Sequence, residues 1–190
     1  MEKRETNNVE LVKRITRDGL LLASLCVLGM FSIPMGDNVK VSLQLFVVFL
    51  ISFLANSWLD CILITAAYLG LGMFMPIYAG FSSNISPTFG FVISFVVASP
   101  IMNLFIKIKG IPEILRLILS CLLGTLIVYA IGSVFLMAYL SIDYPRALMV
   151  AVVPYLPFDA IKIALAILIF KLLPKTLKEE RKIDNEAEGE

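Results

Sequence analysis

Asp159 and Lys162 stand three residues apart near the start of VPYLPFDAIKIALAILIFKLLP (residues 153–174), a run otherwise apolar as far as Lys171. An ionisable side chain at the centre of a bilayer costs about 2.5–3.5 kcal/mol, so such residues face a protein interior or a cavity. Pro154 and Pro157 break the chain ahead of the pair, and Pro157 suits the first turn of a helix. Asp159 then falls where unpaired N–H groups and the helix dipole favour a carboxylate, with Lys162 on the same face one turn later. Two readings follow. In one, Asp159 caps its own helix and Lys162 neutralises it. In the other, a carboxylate acceptor and an ammonium donor line a polar pocket and hold a ligand, and the two readings are compatible.

Two further stretches could complete such a pocket. GMFMPIYAGFSSNISPTFGF (residues 72–91) has the Gly, Pro, Ser and Asn content of a turn, and an ordinary outer loop is the plain reading. It also carries Met75, Ile77, Tyr78, Phe81 and Phe91, which a loop facing only water does not need. Aromatic and small polar residues together are typical of a wall around a small ligand. IPMGDNVKVSLQLF (residues 33–46) ends one apolar run at Pro34 and Gly36 and opens the next at Gln44, so it could cover the same pocket.

The elements that must position these residues are membrane helices. Of 190 residues 59% are hydrophobic, and the mean hydropathy is +0.90. A soluble domain of this size cannot hide that much apolar surface, so lipid is its solvent. Six apolar runs are legible, roughly 19–34, 41–55, 59–75, 89–106, 114–140 and 147–173. The second is short for a span of about 20 residues and could pair with a re-entrant segment. The reading is an all-α integral membrane protein of six transmembrane helices.

The net charge of +1 points to no nucleic-acid partner, and its distribution orients the chain. Lys3, Arg4, Lys13, Arg14 and Arg17 precede the first run. Lys107, Lys109 and Arg116 flank the fourth connection, and Lys171, Lys175, Lys178, Arg181 and Lys182 end the last run or follow it. Both termini are therefore expected in the cytoplasm, which an even number of spans requires. Residues 1–18 form a cytoplasmic segment, 19–173 the membrane domain and 174–190 a charged tail expected to be disordered. The first run lies far from the N-terminus for a cleaved signal peptide.

Chemistry other than binding finds little support. There is no histidine, and Cys26, Cys61 and Cys121 are isolated, so no metal site and no cofactor is expected. Neither a P-loop nor a GxGxxG occurs, so any motor must be a separate protein. An intramembrane enzyme would want paired carboxylates, a serine–lysine dyad or metal ligands. That class, and a membrane assembly protein, are the alternatives. In the first run Gly19 and Ala23 form a small-xxx-small pair followed by Ser24. Such residues let another helix approach closely, with packing inside the chain the more ordinary use.

The order PMG…VSLQ, AAYLGLGMFMPIYAGF, PTFGF and VPYLPFDAIKIALA resembles the BioY-type biotin transporters, substrate-binding S components of energy-coupling factor transporters. The resemblance spans residues 19–173. Its most specific part is Pro154, Pro157, Asp159 and Lys162, followed by Gly72, Pro76 and Gly80. It implies an S-component-like bundle of six helices with the biotin pocket near the outside and Asp159 and Lys162 on the ligand. It also implies a first helix, here Gly19 and Ala23, that meets a transmembrane coupling protein carrying two ATPase subunits. Asn84, Ser83 and Tyr155 would add polar contacts, and Tyr78, Phe81 and Phe91 the apolar walls. The loop FSSNISPTFGF is shorter than the glycine-rich family loop, with Ser86 and Phe89 in place of glycines, and Lys40 stands where proline is common. Another carboxylate cofactor such as lipoate is the alternative ligand.

Overall fold

The structure, a computed structural model, describes residues 2–34, 40–83 and 85–174. Asn84 and the charged tail beyond 174 lie outside the described residues. Seven helices and one short hairpin are found among them: α1 (Glu2–Met30), β1 (Ser32–Pro34), β2 (Lys40–Ser42), α2 (Gln44–Leu54), α3 (Trp58–Phe74), α4 (Phe89–Ile106), α5 (Glu113–Leu140), α6 (Tyr144–Ala151) and α7 (Leu156–Leu172). The two strands pair antiparallel with Ile33 opposite Val41.

Five of the six apolar runs became one helix each. The sixth is divided: α6 and α7 are bent by 50° across a four-residue break, where Pro154 sits between them. By length and composition α4 and α5 among the described residues can each cross a bilayer, and the bent α6–α7 pair is long and apolar enough together to be a broken span or a re-entrant loop. The run 41–55 differs from a simple span. Its first residues belong to the hairpin, and α2 is an 11-residue helix with nine residues buried, enclosed by α1, α3, α4 and α7. Phe49, Ile51 and Phe53 are fully buried there, with Phe53 packed edge-on against Phe170 of α7 at 5.3 Å between ring centroids.

Polar clamps tie the helices at the end where the basic residues lie. Ser57 and Asp60 form a capping box at the start of α3, a pairing that satisfies two orphan backbone donors at once. Arg14 of α1 donates to both Asp60 oxygens, at 2.7 and 3.0 Å, and to Ser57 Oγ at 3.0 Å. Arg17 donates to the Asn56 side chain, and Lys107 of α4 to the Asn56 carbonyl at 2.8 Å. Asn103 of α4, fully buried, donates to the Ser52 and Ala55 carbonyls at the C-terminus of α2, each at 3.0 Å. These are carbonyls that a helix end leaves without intrahelical partners.

Among the described residues nothing packs over the small pair of α1. Gly19 and Ala23 are exposed, and a Cβ added at Gly19 would meet nothing within 4 Å.

Candidate functional site

At the other pole of the bundle β2, α2, the loop after α3, α4, α5 and α7 contribute to one cavity. The α7 helix starts at Leu156 with Pro157 in its first turn and Tyr155 as its N-cap, and no side chain caps it. Asp159 is in that first turn, but it does not cap its own helix; its carboxylate turns into the bundle instead. Lys162 Nζ donates to Asp159 Oδ1 at 2.7 Å, and the Tyr129 hydroxyl of α5 donates to Asp159 Oδ2. Asp159 is 3% exposed and Lys162 6%. A charge this buried needs both a counter-ion and hydrogen bonds to be tolerated, and Asp159 has both.

The arrangement leaves capacity for a ligand. A carboxylate has about four lone-pair positions and an ammonium three N–H donors; the internal bonds use two of the first and one of the second. The cavity beside them has a volume of about 60 Å³ and is open at its mouth. Its wall is formed by Asp159, Lys162, Tyr155, Tyr129, Phe91 and Phe95, and its rim by Ser42, Gln44, Ala79 and Thr88. Phe91 and Tyr155 face each other with centroids 6.5 Å apart. Such a site accepts hydrogen bonds from N–H groups, donates to an oxygen, and stacks flat apolar surface between rings.

Of the residues singled out by sequence, the fold gathers Asp159, Lys162, Tyr155 and Phe91 around this cavity. Tyr78 stands behind the wall: it is 2% exposed and its hydroxyl donates to the Leu69 carbonyl at 2.5 Å. Gly72 makes room for that ring, since a Cβ there would lie 2.0 Å from it. Phe81 is 64% exposed, at the tip of a turn where Gly80 and Phe81 both have positive φ, and its ring meets Phe31. Ser83 follows that turn and is not among the residues lining the cavity.

Tyr129 and Gln44 were not singled out as contact residues. Gln44 Nε2 donates to the Tyr68 hydroxyl at 2.6 Å, which donates to the Ile77 carbonyl at 3.0 Å, and Ser42 donates to Gln44 Oε1 at 3.1 Å. This chain fixes the hairpin, α2, α3 and the loop after α3 to one another at the cavity rim. Gly80 N–H to the Met30 carbonyl, 3.0 Å, holds the same loop against the end of α1.

Several apolar helices gathered around an open cavity with a buried ion pair on its wall define a membrane protein that binds a small molecule near one face of its bundle. Comparison with known proteins gives the particular kind. The BioY family pattern matches residues 1–179, and the chain belongs to the BioY family. It is 30% identical over 175 residues to the biotin transporter BioY of Thermotoga maritima, covering 90% of this chain and all of that one. It is 28% identical over 165 residues to a probable biotin transporter BioY of Pyrococcus horikoshii, covering 85% of this chain and 96% of the relative. The fold is similar to the crystal structure of the S-component for biotin from an ECF-type ABC transporter, with a TM-score of 0.77, 22% identity, and coverage of 86% of this chain and 91% of that one. The chain is a multi-pass membrane protein.

Proposed function

We propose that this protein is the substrate-capturing S component of an energy-coupling factor transporter and that it captures biotin. The observation that carries the reading is the Asp159–Lys162–Tyr129 cluster, buried on the wall of a cavity that Leu45, Phe91, Phe95, Val128 and Tyr155 line with the polar Ser42, Gln44 and Thr88. Biotin presents two ureido N–H donors, a ureido carbonyl and an apolar bicycle. Asp159 accepts from the N–H groups, Lys162 donates to an oxygen, and Phe91, Phe95 and Tyr155 cover the rings. Residues 19–173 are the binding unit. Uptake then depends on partner ATPases acting through a transmembrane coupling protein. Mass spectrometry of material released on denaturing the purified protein should find biotin in amounts approaching one per chain. Lipoate in its place, or an enzymatic activity with no bound ligand, overturns the reading.

The cavity opens outward and both termini lie inside. Arg14, Arg17, Lys107, Lys109 and Arg116 gather at the pole opposite the cavity, as the excess of positive charge on cytoplasmic ends requires. In intact cells a membrane-impermeant maleimide should label a cysteine introduced at exposed Ile85 and leave one at exposed Lys109 unlabelled. The reverse pattern inverts the orientation.

A further inference from the structure

At the cavity end, α4 and α5 exchange glycines and phenylalanines. Phe135 of α5 lies against Gly90 of α4, where an added Cβ would come 2.3 Å from the Phe135 Cβ. Next to it, Phe91 of α4 lies against Gly132 of α5, where an added Cβ would come 2.4, 2.5 and 2.8 Å from three ring carbons. The two contacts are adjacent but differ in what they face. Phe135 packs away from the ligand cavity, onto Phe89 and Tyr139 at 6.0 Å each. Phe91 lines the cavity opposite Tyr155, and Gly132 follows Tyr129 by three residues, one turn along α5.

We propose that Gly132 determines which ring systems the cavity admits, by giving the Phe91 ring a notch in α5 to lie in. The inference deepens the assignment of this cavity to biotin and rests on it. A phenyl ring is rigid, so three ring carbons that close to a new methyl group cannot be relieved by bending; the ring must swing off α5 as a body. Phe91 also lines the cavity and meets Tyr155, so a ring displaced from α5 changes the cavity's width. With glycine at 132 the ring lies against α5 and leaves that width open to the ligand. A methyl group there fills part of that width with the phenyl ring itself. Overpacking of a close-packed interior costs stability wherever it occurs, and here the displaced ring also narrows the cavity, so the ligand bears a share of the cost. At Gly90 the obstructing atom is the Phe135 Cβ, fixed to its backbone, so substitution there must part the helices instead.

The test is a double-mutant cycle on the full chain in detergent, read by equilibrium biotin binding and by the unfolding temperature without ligand. Gly132→Ala should weaken biotin binding at least about tenfold with Phe91 present, and less than about threefold in a Phe91→Leu chain. Gly90→Ala should lower the unfolding temperature without that dependence on residue 91. Equal losses in both backgrounds, or no loss, overturn the proposal. Should Gly132→Ala alone fail to fold, the Gly132→Ala/Phe91→Leu chain must fold and bind within about threefold of Phe91→Leu, and its failure to do so overturns the proposal equally. Absence of biotin binding by the unmodified chain refutes the ligand assignment only. The steric relation is then decided by the unfolding temperature, which Gly132→Ala should lower when residue 91 is Phe and leave unchanged when it is Leu.

Discussion

Asp159→Asn and Lys162→Met should each weaken biotin binding at least tenfold, and the chain carrying both should fold well and still bind poorly. On the proposed reading each single change removes a charge-assisted hydrogen bond to the ligand, worth about 1.5–3 kcal/mol, and about 1.4 kcal/mol already corresponds to tenfold. Each also strands a charge that is almost wholly buried. Breaking a buried pair from one side costs about 3–5 kcal/mol of stability, whereas replacing both partners with groups of similar volume is close to neutral. Stability and affinity therefore separate. Unfolding temperature should fall in the singles and recover in the double, and isothermal titration should show no recovery of affinity. Tyr129 keeps Asp159 hydrogen-bonded when Lys162 is lost, so Lys162→Met should be the milder single in stability. Near-normal affinity in a folded double variant would reduce the pair to an internal structural contact.

Ala23→Trp should leave biotin binding within about twofold of normal and lower ATP-driven uptake by the assembled transporter at least about tenfold. The argument starts from what the exposed face of α1 lacks. Gly19, Ala23 and Ser24 are exposed, flanked by Leu20 and Val27 at 65% and 51% exposure. Thr16 and Ser24 return their hydroxyls to the Val12 and Leu20 carbonyls at 2.8 Å, so the face offers close approach without demanding polar partners. Because nothing among the described residues packs over Gly19, a bulky residue one turn away is expected to damage a contact with another protein rather than the packing of the bundle. Undiminished uptake by the Trp variant would remove α1 as that contact.

How much of this was legible beforehand differs from residue to residue, for physical reasons. Asp159 and Lys162 are visible because a charge in an apolar run is costly by itself, whatever it later touches. Tyr129 is not: a tyrosine within an apolar helix is unremarkable, and it reaches Asp159 across 30 residues of chain only through the packing of α5 on α7. A trace was present, since Ser120, Gly124, Thr125, Gly132 and Ser133 draw a stripe of small and polar residues along the buried face of α5, and Tyr129 lies on it. Tyr78 shows the opposite case. Its composition suits a ligand wall, but the open space at Gly72 captures its ring first. The β1–β2 hairpin went unread because two three-residue strands carry too few positions for an alternation to register.

The shortness of α2 bears on how the protein is made. At about 1.5 Å per residue its 11 residues reach about 16 Å, roughly half the hydrocarbon thickness. A segment that short does not reach across a bilayer by itself, and the Ser52 and Ala55 carbonyls at its end accept from Asn103 of α4. The ribosome delivers α2 well before α4 exists. We therefore expect α2 to take its final place after α4 has emerged, out of the order of the chain, with the centre of the finished bundle among its last parts to be built.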